Sequence, residues 1–407
     1  MKKYWKSTAI IAVIVLSMGI FYINSALSAE QYPQFIIQKQ SGDAKEIEGL
    51  VLEGFYQEPL SMNYVSTNLK ITKDGSNYSN NSFLNQIIGE YPTMIEELQE
   101  EYRSFMRAKK PDVKLFFENS QFLAYADVKY KVNSIKSSDF TFDISVLDKK
   151  DDKVNSFMIK VPKSEEMDHV FVEDVQLVNN ELNLITQNML RSNNHYYNEK
   201  HIYTVDIAKQ EISSHEPIVQ FPKEEGGTNF SAELIEANPV QANEGLIFQI
   251  TERKMIDERE PTRLEEVNQK IIFYNLATKE KEEVKMPGDL SFKENEISFL
   301  DGSVIYLTKV DDENLIVTPF TIDDNQVGQP FSIQLPVDKN QEQTPIIRVK
   351  DGKFYATVTG MNPKADASVI VADIKTGKTL YKGKLAIKDP AEEKGHFDLR
   401  IYEMFMK

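Results

Sequence analysis

Apolar residues along this chain follow three different spacings, and each predicts a different element. Lys2, Lys3 and Lys6 precede an uncharged run from Ser7 to Ala29 with Ala9-Ile10-Ile11-Ala12-Val13-Ile14-Val15-Leu16 at its centre. Roughly 20 apolar residues in a helix cross ~30 Å of hydrocarbon, so residues 7–29 predict one membrane span with the lysines on the cytoplasmic side. The rest of the chain is then extracytoplasmic. The small residues Ser25, Ala26, Ser28 and Ala29 leave cleavage and secretion open as the alternative. Leu27 suits a cut after Ala29 poorly, whereas a cut after Ser28 places Ala26 at the −3 position. The apolar run exceeds the ~7–15 residues of a signal-peptide core, which favours an uncleaved anchor.

Residues 30–45 read as a spacer carrying Pro33 and Ser41-Gly42-Asp43, and residues 46–112 as strands plus a helical insertion. The strands are Leu50 to Phe55 and Asn63 to Ile71, with a turn at Asp74-Gly75. Between Ser82 and Lys109 the apolar positions Phe83, Leu84, Ile87, Ile88, Met94, Ile95, Leu98, Tyr102, Phe105 and Met106 recur every three or four residues. That spacing lines one face of an amphipathic helix, split at Tyr91-Pro92. The second helix is expected to open with Pro92, carry Glu96, Glu97, Glu100 and Glu101 early, and carry Arg103, Arg107, Lys109 and Lys110 late.

Residues 113–407 switch to short alternating runs separated by turn residues. Leu115-Phe116-Phe117 and Phe122 to Tyr125 form one hairpin; Val175 to Val178, Asn179-Asn180 and Leu182 to Ile185 form another. A looser copy surrounds Asn243-Glu244-Gly245. The clearest two turn at Asp301-Gly302 and Asp351-Gly352, because glycine accepts the positive φ of a tight turn. Second hairpins follow near Ala208-Lys209-Gln210, Thr278-Lys279 and Thr376-Gly377-Lys378.

The predicted fold class is therefore mainly β: a β-propeller-like array of five or six four-stranded units. Five lie near 113–163, 170–222, 230–287, 290–336 and 345–388. A sixth combines strands from residues 46–72 with the tail His396 to Met406, closing the array with both ends of the chain. A non-closed array of β-sandwiches is the rival arrangement. The longest loop is expected over Arg253 to Gln269.

Composition narrows the chemistry. The 407 residues carry 47 Lys plus Arg against 63 Asp plus Glu, a net charge of −16, and no cysteine. Setting aside Lys2, Lys3 and Lys6 leaves 44 bases against 63 acids, or −19, outside the membrane. That charge argues against nucleic acid as a partner. The absence of cysteine excludes disulfides, thiolate metal sites and a cysteine nucleophile. The lone Trp5 precedes the span, so the exported part has no indole platform for a sugar.

The histidines are His169, His195, His201, His215 and His396. His195, His201 and His215 could gather at one sheet edge, but no pair has the i, i+4 spacing of a hydrolytic zinc motif, and exposed loop positions are the expectation. Asp311-Asp312-Glu313 and Asp323-Asp324-Asn325 lack the ligand spacing of a calcium loop. No phosphate-cradling glycine loop or nucleophile elbow is present. Hence no catalytic, cofactor-binding or metal residue is assigned, and no cofactor.

With its basic start, anchor, lack of cysteine and units such as Ile297 to Leu335 and Ile346 to Lys384, the chain resembles membrane-anchored extracytoplasmic β-propeller-like proteins of Gram-positive bacteria. The resemblance implies a binding or regulatory role at the cell envelope and assigns no catalytic residue. The function expected is non-catalytic: membrane attachment through residues 7–29 and an envelope protein partner such as a sensor or transporter. The alternative is an envelope hydrolase or lyase using acidic residues on a propeller face.

Overall fold

The fold was obtained as a computed structural model that describes residues 10, 13–17, 19, 32–60, 63–79, 91–132, 137–192, 195–221, 228–235, 240–257, 263–287, 290, 296–311, 314–335, 345–358, 360–361, 366–389 and 397–407. The expected span over 7–29 lies outside these except for Ile10, Val13–Ser17 and Gly19. No helix among the described residues is long and apolar enough to cross a membrane.

In chain order the elements are β1 (Phe35–Gly42), β2 (Leu50–Leu60), β3 (Asn63–Thr72), β4 (Gly75–Tyr78), α1 (Thr93–Glu101) and α2 (Arg103–Met106). Next come β5 (Phe116–Glu118), β6 (Phe122–Val132), β7 (Ser137–Asp148) and β8 (Lys153–Lys160), then β9 (Met167–Val178), β10 (Glu181–Ser192), β11 (His195–Asp206) and β12 (Glu211–Val219). They are followed by β13 (Thr228–Ile235), β14 (Gly245–Asp257), β15 (Arg263–Asn275), β16 (Lys281–Val284), β17 (Glu296–Asp301), β18 (Val304–Asp311), β19 (Asn314–Thr321), β20 (Gln326–Val327) and β21 (Phe331–Gln334). The last are β22 (Ile346–Lys350), β23 (Lys353–Thr357), β24 (Gly360–Met361), β25 (Ser368–Asp373), β26 (Thr379–Ile387) and β27 (Asp398–Met406).

Two compact units result. One comprises Met1–Thr93, Val310–Ile316 and Phe331–Lys407; the other comprises Met94–Lys309 and Val317–Pro330. The second unit carries the sheets β5–β8, β9–β12, β13–β16 and most of β17–β20, each running in chain order. The first carries two sheets that mix both ends of the chain, ordered β1-β26-β25-β23-β22 and β24-β27-β2-β3-β4. The pairings are antiparallel, for instance Leu50↔Met406 through Gln57↔Asp398. Strands from each of the five sequence units near 113–388 share a sheet, the fifth unit's strands joined there by β1, and Leu50 to Phe55 lies in β2 beside the C-terminal β27.

Local chemistry explains the elements. In β7, Phe140, Phe142 and Ile144 are buried while Thr141 and Asp143 are not, the two-residue period of a strand, and from Ile144 to Leu147 both faces are covered. Asn179 and Asn180 turn with φ 52° and 62°, and Asp351 and Gly352 with 51° and 70°, values that two-residue hairpin turns require. In the first unit Phe35, Leu52, Tyr56, Ile71, Val371, Leu385, Leu399 and Ile401 share one core cluster. Full burial of each such side chain contributes about 1.5–3 kcal/mol.

Three expectations are corrected. The stretch 30–45, read as a spacer, contains β1 and enters a short 3-10 turn at Ala44–Ile47. The helix expected from Pro92 to Lys110 ends at Glu101; α2 adds one turn after Tyr102, and the rest of the pattern, 82–90, lies outside the described residues. Ala108 sits at φ 64° and Pro111 disfavours helical Lys110, so the helix cannot continue. The polar stretch Arg253 to Gln269 is mostly strand, pairing Arg253↔Glu266, Lys254↔Glu265 and Asp257↔Arg263.

Candidate functional site

The most polar part of the interior is the sheet β9–β12. Successive residues of β11 point to opposite faces, so Glu199, His201 and Tyr203 share one face while Lys200, Ile202 and Thr204 share the other. Register brings Asn188, Thr186 and Leu184 of β10 opposite Glu199, His201 and Tyr203, and His215 of β12 opposite Tyr203.

On the first face, His201 bridges two groups. Its Nε2 lies 2.7 Å from Glu199 Oε2 and its Nδ1 lies 2.8 Å from His215 Nε2. A carboxylate only accepts, which assigns the Nε2 proton to His201 as donor; Nδ1 then accepts from His215 Nε2–H when both rings are neutral. Tyr203 floors this relay, its ring parallel to His215 with centroids 4.1 Å apart, and its edge meets Phe142 of β7 at 5.0 Å. The Tyr203 hydroxyl accepts from Asn188 Nδ2 at 2.9 Å, and Asn188 Oδ1 accepts from Thr186 Oγ1 at 2.9 Å. Glu199, His201, Thr186 and Asn188 are buried and His215 is half-buried. Burial, then repulsion from His201 and Lys163, pushes His215 down from its ordinary 6.5 to about 4. Burial likewise pushes Tyr203 up to about 12.

On the second face, Lys200 is only 2% exposed, yet its Nζ donates to both Glu173 oxygens at 2.6 Å and to Gln187 Oε1 at 2.9 Å. Burial lowers the Lys200 pKa and the Glu173 carboxylate opposes that shift. Nearby, Gln176 fastens the segment before β14 to β9, donating to the Gln241 carbonyl at 3.1 Å and accepting from Asn243 N at 2.9 Å.

This arrangement can hold a proton along Glu199–His201–His215 and a buried cation on Glu173. It does not converge on a common point: among the described residues no three His, Asp or Glu side chains are grouped to hold a metal ion. The expectation of exposed loop histidines is corrected for His201 and His215, which sit in β11 and β12 because their strands, not their own hydropathy, place them in the interior. His169 stacks on Phe171 at 5.8 Å; the side chain of His195 and all of His396 lie outside the described residues. Sequence reasoning missed Glu173, Asn188, Glu199 and Lys200. The one available signal was an ionisable triplet, Glu199-Lys200-His201, inside an otherwise β-forming run.

No protein-family model matches the sequence, and no curated protein matches it. Among solved structures, the chain is similar to an acylaminoacyl peptidase in complex with Z-Gly-Gly-Phe-chloromethyl ketone at 9% identity and TM-score 0.36, covering 84% of this chain and 45% of that one. The Pyrococcus horikoshii acylaminoacyl peptidase gives 10% and 0.36, covering 87% and 46%. Cobalt-substituted Synechocystis apocarotenoid oxygenase gives 8% and 0.38, covering 90% and 95%. The chain thus spans under half the length of the peptidases it matches.

Proposed function

We propose that this chain is an extracytoplasmic, membrane-anchored β-propeller-like protein that acts at a bacterial cell envelope by binding, with an envelope sensor or transporter as partner. The observation that carries the non-catalytic reading is the closure of the polar site on itself. Lys200 is matched by Glu173, and His201 by Glu199 and His215, so these groups satisfy one another instead of aiming at a shared reacting atom. Among the described residues, six sheets, one pairing β2 with β27, support the propeller-like reading. The uncharged run at 7–29 behind three lysines supports the anchor. Cross-linking in living cells followed by mass spectrometry tests it: the same envelope protein should be recovered across growth conditions. Recovery of no specific partner in any condition rejects the reading.

A second reading, an envelope hydrolase or lyase, draws on the Glu199–His201–His215 relay, which ends on a half-buried imidazole able to exchange a proton. Turnover of a glycan or peptide that disappears in His215→Phe, while the fold persists, would establish it.

A further inference from the structure

Just after α2 the chain sets a lysine against aromatic rings instead of a carboxylate. Ala108 turns the backbone at φ 64°, a left-handed value that an alanine adopts only under constraint. Lys109 N donates to the Met106 carbonyl at 3.2 Å, and Lys110 N donates to the Tyr125 hydroxyl at 3.3 Å, which holds the segment over β6. The Lys109 Nζ then lies 4.3 Å from the centre of the Phe105 ring and 5.0 Å from that of Tyr125.

The lysines around it are paired. Lys110 Nζ donates to Asp127 Oδ1 at 2.8 Å, and Lys129 Nζ lies 3.6 Å from both Asp127 Oδ2 and Asp143 Oδ2. Lys131 meets Asp139 at 3.0 Å. Asp127 and Asp143 face each other in the β6–β7 ladder, so Lys110 and Lys129 take both carboxylates on this side of the sheet. Among the described residues Lys109 has no carboxylate in ion-pair range.

Two rings thus replace part of the water around half-buried Lys109, and an ammonium loses solvation there without gaining a counter-ion. Burial, opposed by the Asp143 charge and assisted by that of Lys129, holds its pKa below the ordinary 10.5. The Lys109 Nζ therefore offers a free lone pair more often than the paired lysines beside it, the condition for a nucleophilic amine.

We propose that Lys109 is a covalent site for small aldehydes, which its Nζ captures as an imine. This goes beyond the binding role above and does not rest on it. The amine lone pair forms the C–N bond, and the carbonyl oxygen leaves as water with the two amine protons. The imine nitrogen then takes a proton from solvent. Phe105 and Tyr125 suit that product, because an iminium holds water less tightly than an ammonium and loses less on meeting a ring face.

The test treats the full chain at about pH 7 with limiting glyceraldehyde and cyanoborohydride, which reduces the imine to a stable secondary amine. Digestion at acidic residues and peptide mass spectrometry follow, with fragment ions separating Lys109 from Lys110. Lys109 should be modified several-fold faster than Lys110, Lys129 and Lys131. Equal rates, or a slower Lys109, overturn the proposal. In concentrated urea the four lysines should approach a common rate; a lead for Lys109 that survives unfolding overturns the assignment to this geometry. Lys129→Gln removes the neighbouring cation and frees Asp143 to pair with Lys109, so modification of Lys109 should slow several-fold, toward the rate of Lys110. An unchanged rate in that variant overturns the role given to pairing.

Discussion

His201 Nδ1 and His215 Nε2 face each other at 2.8 Å across β11 and β12, a separation that tolerates one proton between the two rings but not two. On its far side His201 is already committed to Glu199. Adding a proton to His215 places it on Nδ1, so the Nε2–H···Nδ1 contact persists and the cost is that of a cation in a half-buried setting.

The pH dependence follows from that geometry. Burial holds His215 down at about 4, below its ordinary 6.5, so between those values the unfolded chain binds a proton that the folded chain refuses. Stability attributable to this group is therefore complete above pH 6.5 and falls as the pH drops toward 4. After discounting for solvent at a half-buried ring, the loss is about 2 kcal/mol. Thermal melts of the wild type and His215→Phe at neutral pH and at about pH 4.5 check it. The variant should lose less stability on acidification than the wild type; an equal loss refutes the prediction.

Lys200 makes the opposite demand, since it is buried charged. Lys200→Ala leaves Glu173 without its cation, and breaking a buried pair from one side costs about 3–5 kcal/mol. Glu173→Gln should cost a similar amount by stranding the ammonium. The double replacement Lys200→Met with Glu173→Leu should recover much of the loss, because no charge is left unmatched. Urea denaturation reads all three: the midpoint shifts while the slope stays constant if only stability changes. A double variant as unstable as the single ones would show that the pair is not the source of the effect.

These two predictions concern residues whose roles were hidden in the linear sequence, and the reason is physical. Turns are local, so Asp301-Gly302 and Asp351-Gly352 identified the hairpins β17–β18 and β22–β23 from two residues each. The period-2 pattern likewise marked the sheets between 113 and 388. His201 and His215 are 14 residues apart, and only the β11–β12 register makes them neighbours. The run Tyr196-Tyr197-Asn198-Glu199-Lys200-His201 reads as polar until Glu173 arrives from β9 to neutralise Lys200. Arg253 to Gln269 resembled a solvated loop for a related reason: its two halves are partners only through the β14–β15 register.

The β2–β27 pairing places the C-terminal strand in the core of the first unit. Leu399, Ile401 and Met404 are at most 2% exposed, whereas Tyr402 is 52% exposed. Ile401→Ala should therefore cost about 2–4 kcal/mol, and Tyr402→Ala no more than about 0.5 kcal/mol. Urea midpoints of the two variants separate these values. Removing residues 398–407 strips β2 of one of its two ladder partners and leaves only β3, and limited proteolysis should then cut within 35–72, which the intact chain protects. An intact protease pattern after truncation would mean that β27 is dispensable to this sheet.

Two glycines in the first unit separate backbone strain from crowding. Gly352 and Gly377 both occupy left-handed conformations, φ 70° and 68°, in the turns of β22–β23 and β25–β26. A Cβ at Gly352 meets nothing within 4 Å, whereas one at Gly377 would collide with the Phe331 side chain from its Cβ to its ring. Gly352→Ala thus incurs only the conformational penalty, about 1–2 kcal/mol. Gly377→Ala adds overpacking against a ring that itself meets Phe354 edge-on at 5.9 Å, for a further cost of about 1–3 kcal/mol. Phe331→Gly in the Gly377→Ala background removes the colliding atoms, the Cβ included, so the second change should cost less there than in the wild type. A double-mutant cycle by thermal melting measures that coupling, and strictly additive losses would show that the strain at Gly377 is conformational alone.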